Sequence, residues 1–392
     1  MTSFTQMFSF LLALASCKRY AVLLAGSNGW SNYRHQADIC TIYQLLINRG
    51  FTDDEITMMQ YDDIATYSRN PFKGQIFHTS AHENVYPGTE KMDYTKSKVT
   101  ANNFYSALAS VKSTSQDYVF IYYDNHGGPG ILGMPAGGNI QTAQLNDALN
   151  QMNNLHLYKY CLFGIEACYA GSLAQEFTAP NMCTITAANE KESSYAAVYD
   201  SAIGTYLSNE FTNYWINEME TNPTETIGDL YTNLKSLTKG SHVMFYGDES
   251  MKSMTVDTFF GTPNKLLHRS IGKVDIVPQR EATKMTLKMM KEHTDPAVRT
   301  RGALLKQKLG SLSRKLNFVL DALVKNIDPK NYDKIMKDVD APYTKEYYQV
   351  LDVFLEKFGE MNPDDFGRLM VLKALVATHP AAEVIQTINE FL

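Results

Sequence analysis

Two apolar runs, residues 117–123 (Asp-Tyr-Val-Phe-Ile-Tyr-Tyr) and residues 160–165 (Tyr-Cys-Leu-Phe-Gly-Ile), constrain this chain more than any other feature. Each has the length of a buried strand, and each breaks off at a reactive side chain among small residues. The first leads to His126, followed by Gly127 and Gly128; the second leads to Cys168, followed by Tyr169-Ala170-Gly171-Ser172. A helical segment is expected next, over residues 172–177. In a parallel sheet, residues just past the carboxyl ends of the strands share one crevice, so Cys168 and His126 are expected to face each other. A helix N-terminus beside the thiol favours its thiolate. Alone, Cys168 reads as a small buried hydrophobe and His126 as a structural histidine. As a pair at matched strand ends they are the parts for thiolate attack on a carbonyl, with the imidazole passing a proton to the leaving amine. The N–H groups of Gly127 and Cys168 would hold the oxyanion.

Strands are also expected over residues 19–25, 55–61, 182–187 and 241–247, and helices over 36–48, 101–111 and 142–152. Alternation of that kind makes an α/β domain with a mostly parallel sheet flanked by helices, although the order of the strands is not readable. Residues 64–100 form a long, mostly polar stretch, and loops of that length usually carry function or partners.

Residues 1–16 contain the apolar run Phe8-Ser9-Phe10-Leu11-Leu12-Ala13-Leu14-Ala15, too short to span a membrane, and read as a signal peptide without a basic leading segment. An early first strand and a lipoprotein site at Cys17 are the alternatives. No later segment reads as a transmembrane helix. The five cysteines, Cys17, Cys40, Cys161, Cys168 and Cys183, include no C-x-x-C pair, so no structural metal site is expected, and nothing calls for a cofactor.

Several strings resemble the legumain family of asparaginyl endopeptidases. They are Ala25-Gly26-Ser27-Asn28-Gly29-Trp30, Asn32-Tyr33-Arg34-His35-Gln36-Ala37-Asp38, Tyr61-Asp62-Asp63-Ile64-Ala65, His126-Gly127, Glu166-Ala167-Cys168, Ala187-Ala188-Asn189 and Glu192-Ser193-Ser194-Tyr195. The resemblance is collinear from residue 20 to 247 and implies a caspase-like fold. It also implies catalytic roles for Cys168, His126 and Gly127, and a histidine-orienting role for Asn32. An asparagine side chain offers both a hydrogen-bond acceptor and a donor, so its pocket needs the complement of each. By resemblance Arg34 and Glu166 fill those roles, with His35 and Ser194 nearby. The family's second pocket acid falls on Asn209, an uncharged acceptor that is expected to reduce the penalty for aspartate, unless Glu210 takes its place. Asn125 is a further departure, standing where the family has aspartate.

The composition changes past residue 261. Residues 264–392 hold 21 Lys/Arg and 17 Asp/Glu, a formal +4, and residues 1–263 hold 15 and 25, a formal −10. Helices are expected over 303–324, 343–358, 363–378 and 381–392. The expected organisation is a signal peptide over 1–16, a peptidase domain over 17–262, a linker or activation peptide over 263–300 and a smaller all-helical inhibitory prodomain over 301–392. A basic prodomain on an acidic enzyme implies docking through enzyme carboxylates paired with prodomain Lys/Arg, released by acid. The processing site is not evident, since no asparagine lies between Asn264 and Asn317.

The expected function is a zymogen-derived cysteine endopeptidase acting on proteins and peptides after Asn, with Asp as a second option, in a lysosome-like compartment or secreted. A peptide ligase or transamidase of the same family is the alternative. A catalytically dead binding protein is disfavoured by the presence of Cys168, His126, Gly127 and Glu166. A phosphate role for Gly127-Gly128-Pro129-Gly130 lacks a P-loop lysine. The net charge of −6 gives nucleic-acid binding no support.

Overall fold

The computed structural model describes residues 17–68, 70–265 and 274–392, so the expected signal peptide lies outside the described residues. The strands of the two main sheets are β1 (Arg19–Ala25), β2 (Ile56–Gln60), β3 (Tyr118–Asp124), β4 (Tyr160–Glu166), β5 (Met182–Thr186), β6 (Tyr195–Asp200), β7 (Thr205–Asn209), β8 (Met244–Gly247) and β9 (Val277–Pro278), and three two-residue strands, Gly127–Gly128, Ile131–Leu132 and Ile140–Gln141, pair with one another. A central sheet runs β8-β5-β4-β3-β1-β2, with every pairing parallel except that of β8. A smaller antiparallel sheet runs β7-β6-β9.

The helices beside the sheet are α1 (Tyr33–Asn48), α2 (Ala101–Ala109), α3 (Thr142–Asn154), α4 (Glu210–Thr221) and α5 (Ile227–Leu237). Their apolar sides explain why β3 and β4 read as unbroken apolar runs. Along β3, Phe120 and Tyr122 face one core with Trp215 of α4, while Val119, Ile121 and Tyr123 face the other with Leu145 and Leu149 of α3. Alternate side chains point to opposite faces, and here both faces are covered.

Two boundaries differ from expectation in ways that matter. α1 begins at Tyr33, following a tight turn at Trp30–Asn32, because Tyr33 is fully buried and its hydroxyl accepts the Phe77 N–H at 2.6 Å. Arg34 and His35 therefore occupy the first helical turn. Segment 263–300, expected as a linker, holds β9 and a helix, α6 (Gln279–Glu292). The buried face of α6 is Gln279, Ala282, Thr283, Thr286 and Met290, a helical spacing carried mostly by polar side chains. Hydrophobic periodicity does not reveal a helix of this kind.

Beyond α6, besides a short helical segment at Tyr332–Lys337, lie α7 (Pro296–Ile327), α8 (Lys345–Phe358), α9 (Met370–Val376) and α10 (Ala381–Phe391). Asp295 caps α7 by accepting the Ala297 N–H, with Pro296 in the first turn, so the helix starts well before residue 303. The stretch expected as one helix over 363–378 divides into a 3-10 turn, Pro363–Leu369, and α9. Leu316, Leu320 and Leu323 of α7 pack with Tyr347, Val350 and Phe354 of α8 and with Val384 and Ile388 of α10, giving this region its own core. Ile131 joins that core from beside the sheet, so the helical region is docked on the α/β domain. Among the described residues no helix is long and apolar enough to cross a membrane.

Candidate active site

Adjacent strands set the geometry. Asp124 at the end of β3 pairs in register with Glu166 at the end of β4, so His126 and Cys168 each lie two residues beyond a matched pair. Both line a single cleft of about 1450 Å³. Gly127 brings the two loops together: a Cβ there would lie 2.2 Å from the Cys168 carbonyl oxygen, a separation only glycine permits.

The imidazole has a defined orientation. Asn32 donates its amide to the Asn28 carbonyl at 2.9 Å, which turns its own oxygen toward His126 Nε2 at 2.8 Å. Nε2 must then carry the proton, leaving Nδ1 as a bare acceptor facing the cleft. There it meets Asp364 of the helical region at 3.9 Å. Burial holds the His126 imidazole well below its ordinary value, with Arg34 adding to the effect. Burial also pushes the Cys168 thiol up, against hydrogen bonds from Ser193 and Ser194, whose N–H donates to the sulfur at 3.3 Å. Burial thus favours the neutral form of both the thiol and the imidazole in this docked state.

Beside this pair lies a buried polar pocket. Arg34 donates from Nε to Asn209 Oδ1 (2.9 Å), from Nη1 to the Ser31 carbonyl (3.0 Å) and from Nη2 to Gln279 Oε1 (2.7 Å). His35 Nε2 lies 3.2 Å from the same Gln279 oxygen, and its Nδ1 lies 2.7 Å from Ser27 Oγ. The Gln279 amide nitrogen donates to Ser194 Oγ at 3.0 Å and to Asn209 Oδ1 at 3.3 Å. The pocket thus places Arg34, His35, Ser194 and Asn209 around one amide. Glu166 stands behind, fully buried, accepting from Thr212 N at 3.3 Å, and burial pushes its carboxyl up to about 8. It makes no hydrogen bond to Gln279. Glu210, the alternative to Asn209, faces away and accepts the Lys239 and Gly240 N–H groups. Asn125 donates to the Gly26 carbonyl.

The residue model of the peptidase C13 family matches residues 19–262, well over half of the chain. This chain belongs to the peptidase C13 family. Legumain of Mus musculus is 38% identical over 277 residues, covering 67% of this chain and 62% of that protein. Legumain of Homo sapiens is 38% identical over 264 residues, covering 63% of this chain and 60% of that protein. The vacuolar-processing enzyme beta-isozyme of Arabidopsis thaliana is 34% identical, over 74% of this chain and 67% of its own. The chain thus spans less than two thirds of the mammalian relatives. A solved structure of caspase-1 from Spodoptera frugiperda aligns at 11% identity and a TM-score of 0.40, over 64% of this chain and 92% of that one.

In this C13 chain, Cys168, His126, Gly127 and Asn32 lie together at the cleft and Arg34, His35, Ser194 and Asn209 around the pocket beside it, whereas Glu166 stands behind and Glu210 faces away. Four others escaped notice. Gln279 sits in the stretch taken for a linker. Asp364 follows Pro363, and nothing local marks it. Asp38 and Asp124 were visible only as a motif letter and a strand end, yet Arg34 and Asp38 share a helical face at i and i+4.

Proposed function

We propose that this chain is a cysteine endopeptidase that cleaves after asparagine and is held latent by its own C-terminal helices. The observation that carries this is the Gln279 side chain. It ends in the same carboxamide as asparagine, one methylene further out, and it meets a donor set on its oxygen and an acceptor set on its nitrogen. Its strand β9 adds antiparallel to the edge of β6, with Val277 opposite Ala196 and Pro278 opposite Tyr195, as an extended substrate would. At Gln279 the chain turns into α6, so the peptide bond that follows is helical and not extended as in a substrate.

In a substrate, Arg34 and His35 hold the asparagine carbonyl, and Ser194 and Asn209 accept from its NH2. Cys168 attacks the next carbonyl carbon while His126 Nδ1 takes the thiol proton. Gly127 N–H and Cys168 N–H receive the oxyanion. His126 then returns the proton to the leaving amine, and water hydrolyses the thioester by the reverse path. Asn32 keeps Nδ1 available throughout. The apolar run over 1–16 and the acid-release reading of the helical region below favour an acidic compartment of the secretory pathway.

The expected basis of docking needs correction. Across the interface the α/β-domain cation Lys191 pairs with the helical-region carboxylate Asp340 at 2.9 Å, and Asp364 lies 3.9 Å from the neutral His126 imidazole. Among the described residues, basic side chains of the helical region pair within that region, as in Lys284–Glu281, Lys308–Glu360 and Lys325–Asp321. Two of these, Lys284–Glu281 and Lys325–Asp321, stand at helical spacing, where pairing costs less conformational freedom than across a new interface.

Two measurements test the proposal. Fluorogenic Ala-Ala-Asn and Ala-Ala-Asp peptides are assayed with full-length and acid-processed protein; turnover of the asparagine peptide appears only after processing. Turnover of neither after processing overturns the reading. Emptying the pocket also requires a cut upstream of Gln279. Asn264 is exposed, held by its N–H on the Asn48 carbonyl at 2.7 Å. The intact mass of the processed enzyme is expected to end at Asn264, and Asn264→Gln to slow self-processing at least tenfold. A wild-type mass ending beyond residue 279 contradicts this.

A further inference from the structure

Beneath Asn209 lie two buried carboxyl groups. The Asn209 side-chain nitrogen donates to Asp38 Oδ2 at 2.9 Å and to Asp124 Oδ1 at 2.9 Å. Asp38 also accepts the Asn209 backbone N–H at 3.0 Å and lies 2.9 Å from His78 Nε2, and Asp124 also takes the Thr212 hydroxyl at 3.3 Å. All of Asp38, Asp124 and Asn209 are fully buried. Both amide hydrogens of Asn209 are therefore committed away from the pocket. Its oxygen, held by Arg34 Nε at 2.9 Å, is the atom that faces Gln279. Turning the amide over would set its oxygen against two carboxyl groups and its NH2 against a guanidinium, so only one orientation satisfies the site.

We propose that Asp38 and Asp124 lock Asn209 with its carbonyl inward, making Asn209 the residue that selects a hydrogen-bond donor, asparagine, over an ionised aspartate. The inference rests on the pocket reading above and reverses the sequence expectation. An amide at position 209 was expected to soften rejection of aspartate because it carries no charge. Held in this orientation it presents only a lone pair, and a carboxylate brought against it has no proton to share. The discrimination comes from hydrogen-bond polarity: a buried acceptor that would be left facing another acceptor rejects the charged side chain. Burial, with Asp38 and Glu166 adding, pushes the Asp124 carboxyl well above its ordinary value. An acceptor oxygen remains on Asp124 in either protonation state. The lock therefore does not depend on its charge. The Asn209 side chain makes no capping bond to α4, so it can be truncated without loss of a helix cap.

Gln279 provides the probe within the full-length chain, with no need for turnover. Gln279→Glu places a carboxylate against Asn209, and the opening of the pocket is read from the rate at which iodoacetamide alkylates Cys168, followed by mass spectrometry of its peptide at about pH 7. In the wild-type background Gln279→Glu is expected to raise that rate about tenfold. In the Asp124→Ala background, where one side of the lock is gone, the same change is expected to raise it less than about threefold. In Asp124→Asn, which keeps an acceptor for the Asn209 amide, the tenfold factor is retained. Asn209→Ala provides a second route should Asp124→Ala fail to fold, and it too should bring the factor below about threefold. A tenfold factor persisting in Asp124→Ala or Asn209→Ala, or a factor below threefold in the wild-type background, overturns the inference. Equal losses in Asp124→Asn and Asp124→Ala overturn it as well, since they assign the effect to charge. Absence of peptide hydrolysis, by contrast, counts against the proteolytic reading and leaves the alkylation factors to be judged as they stand.

Discussion

Cys168→Ala is expected to lower hydrolysis of the asparagine peptide by the processed enzyme on the order of 10⁴-fold or more, with His126→Ala close behind. The two losses should not add. A thiol without its base and a base without its thiol disable the same step, so the double variant is expected to match the worse single one within about threefold. Asn32→Ala should cost less, on the order of 10²-fold. Asn32 acts only through its hold on Nε2, and without it the proton can move to Nδ1 and take the base out of play. Because the tautomer is the point of that bond, Asn32→Asp should restore much of the rate lost in Asn32→Ala by supplying an acceptor at the same place. Steady-state kinetics of the five variants on one peptide, with folding checked by thermal unfolding, decide the matter. Rescue by aspartate separates an orienting role from a loop-packing role. Additive losses for Cys168 and His126 would count against their acting as one unit.

The readable parts of this molecule are those where one physical rule dominates locally. Burial of β3 and β4 on both faces forces continuous apolar runs, and their ends mark the crevice, which is why His126 and Cys168 stood out before any fold was known. Strand order was not readable, because a parallel pairing such as β1 with β3 depends on long crossovers that leave no local trace. The pocket was legible from one side only. Arg34, His35, Ser194 and Asn209 belong to strings with a recognisable pattern, whereas Gln279 belongs to a helix whose buried face is amide and hydroxyl. That face is polar because it lies on a polar pocket and beside Thr205, whose hydroxyl meets Thr286 at 2.9 Å. A helix that packs on a polar pocket must match it, and so loses the apolar stripe by which helices are recognised. The same reasoning accounts for Asp364, whose place is fixed by what it covers.

Acid is expected to loosen the C-terminal helices through His126, with Asp364 acting in the opposite sense. The docked imidazole has a value well below that of a free histidine (about 6.5), so the released state takes up a proton more readily, and docking weakens as pH falls below about 6.5. Burial raises Asp364 from an ordinary value of 3.8 to about 7 in the docked state, so its docked form binds the extra proton, and docking strengthens as pH falls from about 7 toward 4. Three pKa units correspond to about 4 kcal/mol at most. Removing that opposition by Asp364→Asn should leave the helices more firmly docked at neutral pH and make their release steeper in acid. Three tyrosines hold the region in a way that pH does not touch. Tyr347 donates to the Pro129 carbonyl at 2.8 Å, Tyr348 to that of Ser172 at 2.7 Å and Tyr343 to that of Glu190 at 2.6 Å, three carbonyls flanking the cleft. Burial raises all three phenols above their ordinary value, so they stay neutral throughout the range in which the enzyme would be activated. At about 1 kcal/mol for each hydrogen bond, the triple Tyr→Phe variant should lose protection of the α8 amides by about 100-fold. Hydrogen exchange of full-length Cys168→Ala protein, corrected for intrinsic rates between pH 5 and 7 (a span of about two units centred near the histidine value), reads all of these at once. The tyrosine variant should shift the whole profile by one factor, and Asp364→Asn should change its slope. A flatter profile for Asp364→Asn would remove that carboxyl from the acid response, and a tyrosine effect confined to one end of the range would mean that the phenols hold the helices only indirectly.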